Sequence, residues 1–420
     1  MFFNIAAVIG IRWLAAAAHA GPGSLTLWVL AALLFFVPSA AVVSELSRRY
    51  HGLGGIYLWT KRSFGDWHGF LCGYCYLVSN LFYFPGLVLA GVSMSVSLAG
   101  PEHAELAEDR AFVVSVSLAV IAIVTAANIL GLGVARWLGN IGGTATYVVG
   151  AILVAGAAAV WWRHGSQTPL DVMPRLEWDK VKFWPQIAFA FTGLELGAFF
   201  AADVRGGDRS VRRAAWIAGT AIAAFYVVGT LALLVTIPHE QISEVTGLTQ
   251  AGTGAGRLLG SRWPGLLLTA CVTAGIAGQL SVVMGGSARL PLVLGIDRYL
   301  PPAFARIHPR WGTPVLALAI QSLACAFFLV AMQFGDTLRV GYQLLVDITV
   351  VTSFIPFVYM FLAGWRAGLR WSAASGLFVT FLAIAFSFVP PPKALVWLFE
   401  LKLAGGTAAL LLLARWWFKK

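Results

Sequence analysis

FWPQIAFAFTGLELGAFFAADVRGGDRSVRR, residues Phe183 to Arg213, decides what kind of molecule this is. Its first half is apolar enough to enter hydrocarbon, yet Phe191-Thr192-Gly193-Leu194-Glu195 sets a carboxylate in the middle of the run. A charge at bilayer depth costs several kcal/mol, so it is rarely there for packing and typically lines a polar cavity. Gly193 beside Thr192 marks a place where a helix can break and free backbone groups for a ligand. The stretch closes on Arg205, Arg209, Arg212 and Arg213, a basic turn of the kind that anchors a span on the cytoplasmic side. A broken, charged membrane helix points to a transporter.

The rest of the chain agrees on the class. Of its 420 residues 59% are hydrophobic and 11% charged, with mean hydropathy +0.81, where a soluble domain carries about 25% charged residues. Apolar runs of about twenty residues recur, continuous and not alternating, so they spell helices and exclude a β-barrel. Twelve spans are expected, at roughly 1–18, 25–46, 67–98, 112–131, 141–162, 183–203, 213–237, 264–288, 313–333, 341–363, 372–389 and 394–416. The first starts at Met1 without a polar tail, so an upstream start codon is a further expectation. It lacks a basic n-region and reads as a span, not a signal peptide.

The net charge of +11 suggests nucleic acid until the charges are placed. Taking the connections as alternately inside and outside, 18 of the 29 Lys and Arg fall on one side, nine on the other and two within spans. That bias follows the positive-inside rule with both termini cytoplasmic, so the basic balance is a topology signal and no nucleic-acid partner is expected. The expected location is the cytoplasmic membrane. Cys72 and Cys75 form a C-x-x-C without nearby His or a second pair, and read as small helix residues. Gly10-Ile11-Arg12 and Gly131-Leu132-Gly133 are too short for nucleotide fingerprints and no Walker loop occurs, so no cofactor and no ATP are expected.

Span one carries Val8-Ile9-Gly10-Ile11-Arg12, and span six carries Thr192-Gly193-Leu194-Glu195. Each sets a glycine beside a charge, and five spans separate them, which gives the two helices opposite directions. Corresponding interrupted spans in two halves point to an inverted-repeat transporter and its binding site. The repeats are expected at 1–162 (spans one to five) and 183–363 (spans six to ten), with spans eleven and twelve at 372–416.

A family resemblance runs through the same residues. Phe36-Val37-Pro38-Ser39-Ala40-Ala41-Val42-Val43-Ser44-Glu45-Leu46, Gly54-Gly55-Ile56-Tyr57-Leu58-Trp59 and Phe64-Gly65-Asp66-Trp67 resemble the amino acid–polyamine–organocation superfamily. So do the F-x-G-x-E core of span six, Gly295-Ile296-Asp297-Arg298-Tyr299-Leu300-Pro301, and Thr313-Pro314 opening span nine. Spans one to three look most like the branch of glutamate/GABA-type antiporters and related permeases. The resemblance implies an all-α, LeuT-like fold of two inverted five-helix repeats plus two helices. It implies a substrate held between spans one, three, six and eight. The α-carboxylate would meet backbone N–H groups around Val8, Ile9, Gly10 and Ile11, and the amino group carbonyls around Phe191, Thr192, Gly193 and Leu194. Half-helix ends have the right polarity for this. By the same resemblance Asn80 is a polar substrate contact and Phe189 an aromatic lid, against plain readings as a helix–helix hydrogen bond and a packed ring.

Three intramembrane charges remain for gating or proton coupling: Arg12, Glu195 and Asp347. Arg12 is open between facing an outer vestibule, pairing with Glu195, holding an acidic substrate, and snorkelling to the interface. Span eight offers Ser281 and Ser287 but no adjacent hydroxyl pair for sodium, and span five has no Lys. Exchange, or proton coupling through Glu195, is what remains. The expected function is secondary transport of an amino acid or related amine by alternating access, with a polyamine permease or a transport-inactive sensor as alternatives. No nucleophile or His/Asp/Glu constellation suggests an enzyme.

Overall fold

The computed structural model describes residues 9–50, 54–173, 183–195, 207–297, 299–331, 333, 338–390 and 395–418, and every regular element among them is helical. In chain order these are α1 (Arg12–His19), α2 (Ser24–Arg49), α3 (Ile56–Phe64), α4 (Asp66–Ser95), α5 (Arg110–Ile129), α6 (Leu132–His164) and α7 (Trp184–Phe189). There follow α8 (Gly207–Thr236), α9 (Gly247–Leu259), α10 (Trp263–Ser287), α11 (Arg289–Ile296), α12 (Val315–Ala331), α13 (Leu338–Arg366), α14 (Arg370–Ser387) and α15 (Val396–Phe418). Among the described residues nine helices are long and apolar enough to cross a membrane, and α12 is a shorter apolar one. The described parts of the expected first and sixth spans are α1 and α7. Residues 9–11 before α1 and 190–195 after α7 are not helical, and the chain beyond each, Val8 included, lies outside the described residues.

Contacts between connections sort the chain into two ends. At one end Thr313 donates to the Ile129 carbonyl (2.9 Å), Arg49 to that of Ala367 (2.6 Å) and Trp417 to that of Tyr299 (3.0 Å). At the other, Thr26 donates to the Val172 carbonyl (2.6 Å) and Thr168 to that of Ile237 (2.9 Å). Long helices alternating between these ends form the bundle. The expected span beginning near residue 141 starts at Leu132, because Arg136 is carried on the helix instead of preceding it.

Small residues bring the central helices together. α6 and α10 touch through Gly142 and Gly278, where a methyl group added to Gly142 would lie 2.5 Å from the Gly278 Cα. Such contacts are how helices associate where lipid is as apolar as the side chains. α4 and α13 pack against each other in the centre, and each carries an internal proline, Pro85 and Pro356. Both prolines sit within two residues of aromatic side chains that line the site below, Tyr83 and Phe357, and each removes a backbone donor from its helix.

At the first end, α3 lies against the residues that follow α11. Asp297 accepts from Lys61 (2.8 Å) and from the Tyr57 hydroxyl. Burial pushes the Asp297 carboxyl up, but its hydrogen bonds to Lys61 and Tyr57 outweigh that and hold it below the ordinary aspartate value. The stretch from Arg289 onward begins as α11, with Leu290 and Leu294 each 1% exposed.

Candidate substrate site

The two non-helical stretches meet through one side chain. Tyr226 of α8 accepts from the Gly10 N–H (3.0 Å) and donates to the Ala190 carbonyl (3.1 Å). Gln279 of α10 donates to the Ile9 carbonyl (3.1 Å). Backbone groups released where a helix stops in a low-dielectric core need partners, and these two side chains supply them. The Tyr226 ring stacks on Trp28 (4.3 Å between centroids, 5° between planes), with Phe191 edge-on to both. Phe191 is therefore packed in an aromatic cluster behind the site.

Gly193 has φ +109°, a conformation that L side chains rarely adopt, and this explains the glycine in Thr192-Gly193-Leu194-Glu195. In that turn the Gly193 N–H reaches back to both carboxylate oxygens of Glu195 (2.9 and 3.1 Å). The Tyr76 hydroxyl of α4 donates to the same carboxylate (3.0 Å). Thr192 closes the end of α7 by donating to the Phe189 carbonyl (2.7 Å).

Around these groups lies a cavity of about 60 Å³. Trp13 comes from α1; Tyr76, Ser79, Asn80 and Tyr83 from α4; Phe189, Ala190, Thr192, Gly193 and Glu195 from the α7 end; Val283 from α10; and Thr349, Ser353 and Phe357 from α13. Drug-sized ligand pockets run to about 300 Å³ or more, so a small organic molecule would enter only if these walls moved apart. Phe189 contacts Trp13 (5.6 Å), Tyr83 (5.9 Å) and Phe354 (6.4 Å) edge-on or tilted, forming one wall.

A much larger vestibule of about 1660 Å³ opens at the end away from Lys61 and Asp297. Its lining includes Tyr342 and Gln343 of α13, Thr249 of α9, and a buried Glu244. Glu244 accepts from Gln186 of α7 (3.3 Å) and Gln343 (2.6 Å), and pairs with Arg339 (3.5 Å). Arg12 lies between the two spaces, 2% exposed. Its guanidinium sits over Trp13 (4.2 Å), Tyr83 (4.8 Å) and Tyr342 (5.9 Å). Two of those rings line the small cavity and the third lines the vestibule. Arg12 does not snorkel to an interface, and among the described residues it forms no ion pair with Glu195.

Of the sequence candidates, Asn80, Phe189, Thr192, Gly193 and Glu195 come together on the small cavity. Ile9, Gly10, Ile11 and Leu194 are buried beside it without lining it. Asp347 lies in α13, 8% exposed, and lines neither space. Asn80 donates back to the Tyr76 carbonyl in its own helix (2.7 Å). Ser281 accepts from Asn128 (3.1 Å) and Ser287 bonds Gln321 (3.0 Å), so both hydroxyls face neighbouring helices. Sequence reading missed Tyr76, Ser79 and Tyr83, though with Asn80 they recur at helical spacing on an otherwise apolar segment, as do Thr349 and Ser353. Tyr226 and Gln279 carry no such signal.

Comparison with known proteins bears on what this arrangement is for. The family model described as amino acid permease matches residues 1–399. The chain belongs to the amino acid permease family. An uncharacterised transporter of Legionella pneumophila is 24% identical across 100% of this permease and 95% of its own length. The putrescine transporter of Haemophilus influenzae is 26% identical over 81% of the permease and 76% of its own length. A probable agmatine/putrescine antiporter of Lactococcus lactis is 22% identical over 60% of the permease and 54% of its own length.

Proposed function

We propose that this permease carries an amino acid or related amine across the cytoplasmic membrane by alternating access, as an exchanger or proton symporter. The carrying observation is the small cavity at the ends of α1 and α7, walled off from the vestibule by Arg12, Trp13, Tyr83 and Phe189. In this reading the two non-helical stretches belong to spans one and six of twelve, which move as inverted repeats about the site. The Asp297–Lys61 end is cytoplasmic, as the basic bias suggests. Glu195 is the proton-coupling group, Asn80, Phe189 and Thr192 contact substrate, and Asp347 serves a gate or a proton path.

The test is flux. Purified permease in proteoliposomes preloaded with unlabelled amino acids should take up labelled amino acid from outside, and an inward pH gradient should raise the level reached. Binding without flux would assign a sensor. Flux confined to polyamines would assign a polyamine permease.

A further inference from the structure

The guanidinium of Arg12 is enclosed but not balanced. Its Nε and Nη1 are buried, and among the described residues neither has a hydrogen-bond acceptor. A guanidinium carries five donors and no acceptor. Taking such an ion out of water costs several kcal/mol, and a desolvated cation–π contact returns about 2. The three rings over Arg12 therefore shelter the charge without supplying the anion it lacks.

The carboxylates of the two neighbouring spaces are committed elsewhere. Glu195 is bonded by Gly193 and Tyr76, and Glu244 by Gln186, Gln343 and Arg339. The backbone N–H of Gly10, two residues before Arg12, is taken by Tyr226. The guanidinium packs directly against α4 because that helix carries no side chain there: a Cβ on Gly86 would lie 3.2 Å from Nη1. Any solute passing from the vestibule to the small cavity crosses the layer formed by Tyr342, Arg12, Tyr83 and Trp13.

We propose that Arg12 receives the carboxylate of the transported solute, so that the permease selects carboxylate-bearing ligands over amines of the same skeleton. Glu195, on the cavity side of the wall, then faces the amino end. Putrescine and agmatine, in the names of two relatives, are such amines and lack the anion; a bare cation meets repulsion at Arg12. The proposal rests on the reading of the chain as a carrier whose solute passes through the small cavity.

Matched pairs test it: ornithine against putrescine, arginine against agmatine, lysine against cadaverine, and leucine against isoamylamine. Binding is read by thermal stabilisation of purified permease, and flux is measured separately in proteoliposomes. Wild type should bind the carboxylate member of at least one pair, with the amine weaker by about tenfold or more. Arg12→Gln should lose that preference by weakening the amino acid and not the amine. Arg12→Lys, which keeps a cation, should retain the order at reduced affinity, and Gly86→Ala, which crowds Nη1, should weaken the amino acid alone. Equal binding within every pair, no binding of any carboxylate member, or an unchanged preference in Arg12→Gln would overturn the proposal. Preference without flux would uphold Arg12 as the carboxylate group and refute the transport reading. Flux of both members of a pair at equal affinity would do the reverse.

Discussion

Replacing Tyr226 by Phe removes one oxygen and leaves the ring stacked on Trp28 at 4.3 Å. That oxygen joins the two stretches where helices stop, holding Gly10 N at 3.0 Å and the Ala190 carbonyl at 3.1 Å. Tyr226 is fully buried, so its loss strands a donor and an acceptor away from water. An orphaned buried group costs about 1–3 kcal/mol, giving about 2–6 kcal/mol if neither finds a new partner. Measured interhelical hydrogen bonds in a membrane average about 0.6 kcal/mol, which sets a floor near 1 kcal/mol for the pair. Tyr226→Phe is therefore expected to insert normally, melt several degrees lower in detergent, and exchange labelled substrate about tenfold or more slowly in proteoliposomes. Wild-type melting and wild-type exchange together would refute the idea that this hydroxyl ties the two stretches into one moving unit.

Gly193→Ala, at φ +109°, is strained by about 1–3 kcal/mol and displaces the N–H that holds Glu195, so flux should fall while membrane insertion persists; near-normal flux would show that the turn is dispensable. Gly10→Ala sets a methyl 2.4 Å from the Trp13 ring and should also reduce flux, read by the same uptake assay. Glu195→Gln should keep exchange but lose pH-driven accumulation, and an unchanged pH profile would leave Glu195 a packing residue. For Asp297, whose carboxyl sits below its ordinary value, the stabilisation by Lys61 and Tyr57 is present above the unfolded pKa and lost as pH falls through the folded one. The melting difference between wild type and Asp297→Asn should thus be flat between about pH 5 and 9 and shrink only below about pH 4.

Hydrophobic runs made the spans visible because each must bridge the same apolar slab, and helices from Ser24–Arg49 to Val396–Phe418 lie where those runs do. Glycine beside a charge marked two stretches, 9–11 and 190–195, that are not helical among the described residues, and in the second Gly193 takes a positive φ while its N–H bonds Glu195. What completes those places was not legible. Tyr226 and Gln279 sit on apolar helices whose inward face depends on packing with distant helices, and one tyrosine among ten carries no periodic signal. Arg12 was left open among four roles, because its surroundings come from α1, α4 and α13 together. The helices Ile56–Phe64, Gly247–Leu259 and Arg289–Ile296 were missed for another reason: each is too short or too polar to span.

Alternating access through the small cavity is the central claim, and a single cysteine addresses it. Ser353 of α13 lines that cavity and is 6% exposed. With the four native cysteines replaced, Ser353→Cys should react with an impermeant thiol reagent both in intact cells and in inside-out vesicles. A transported amino acid should slow both reactions. Reaction from one side only, under every substrate and pH gradient, would contradict alternating access and leave a binding protein with a single mouth.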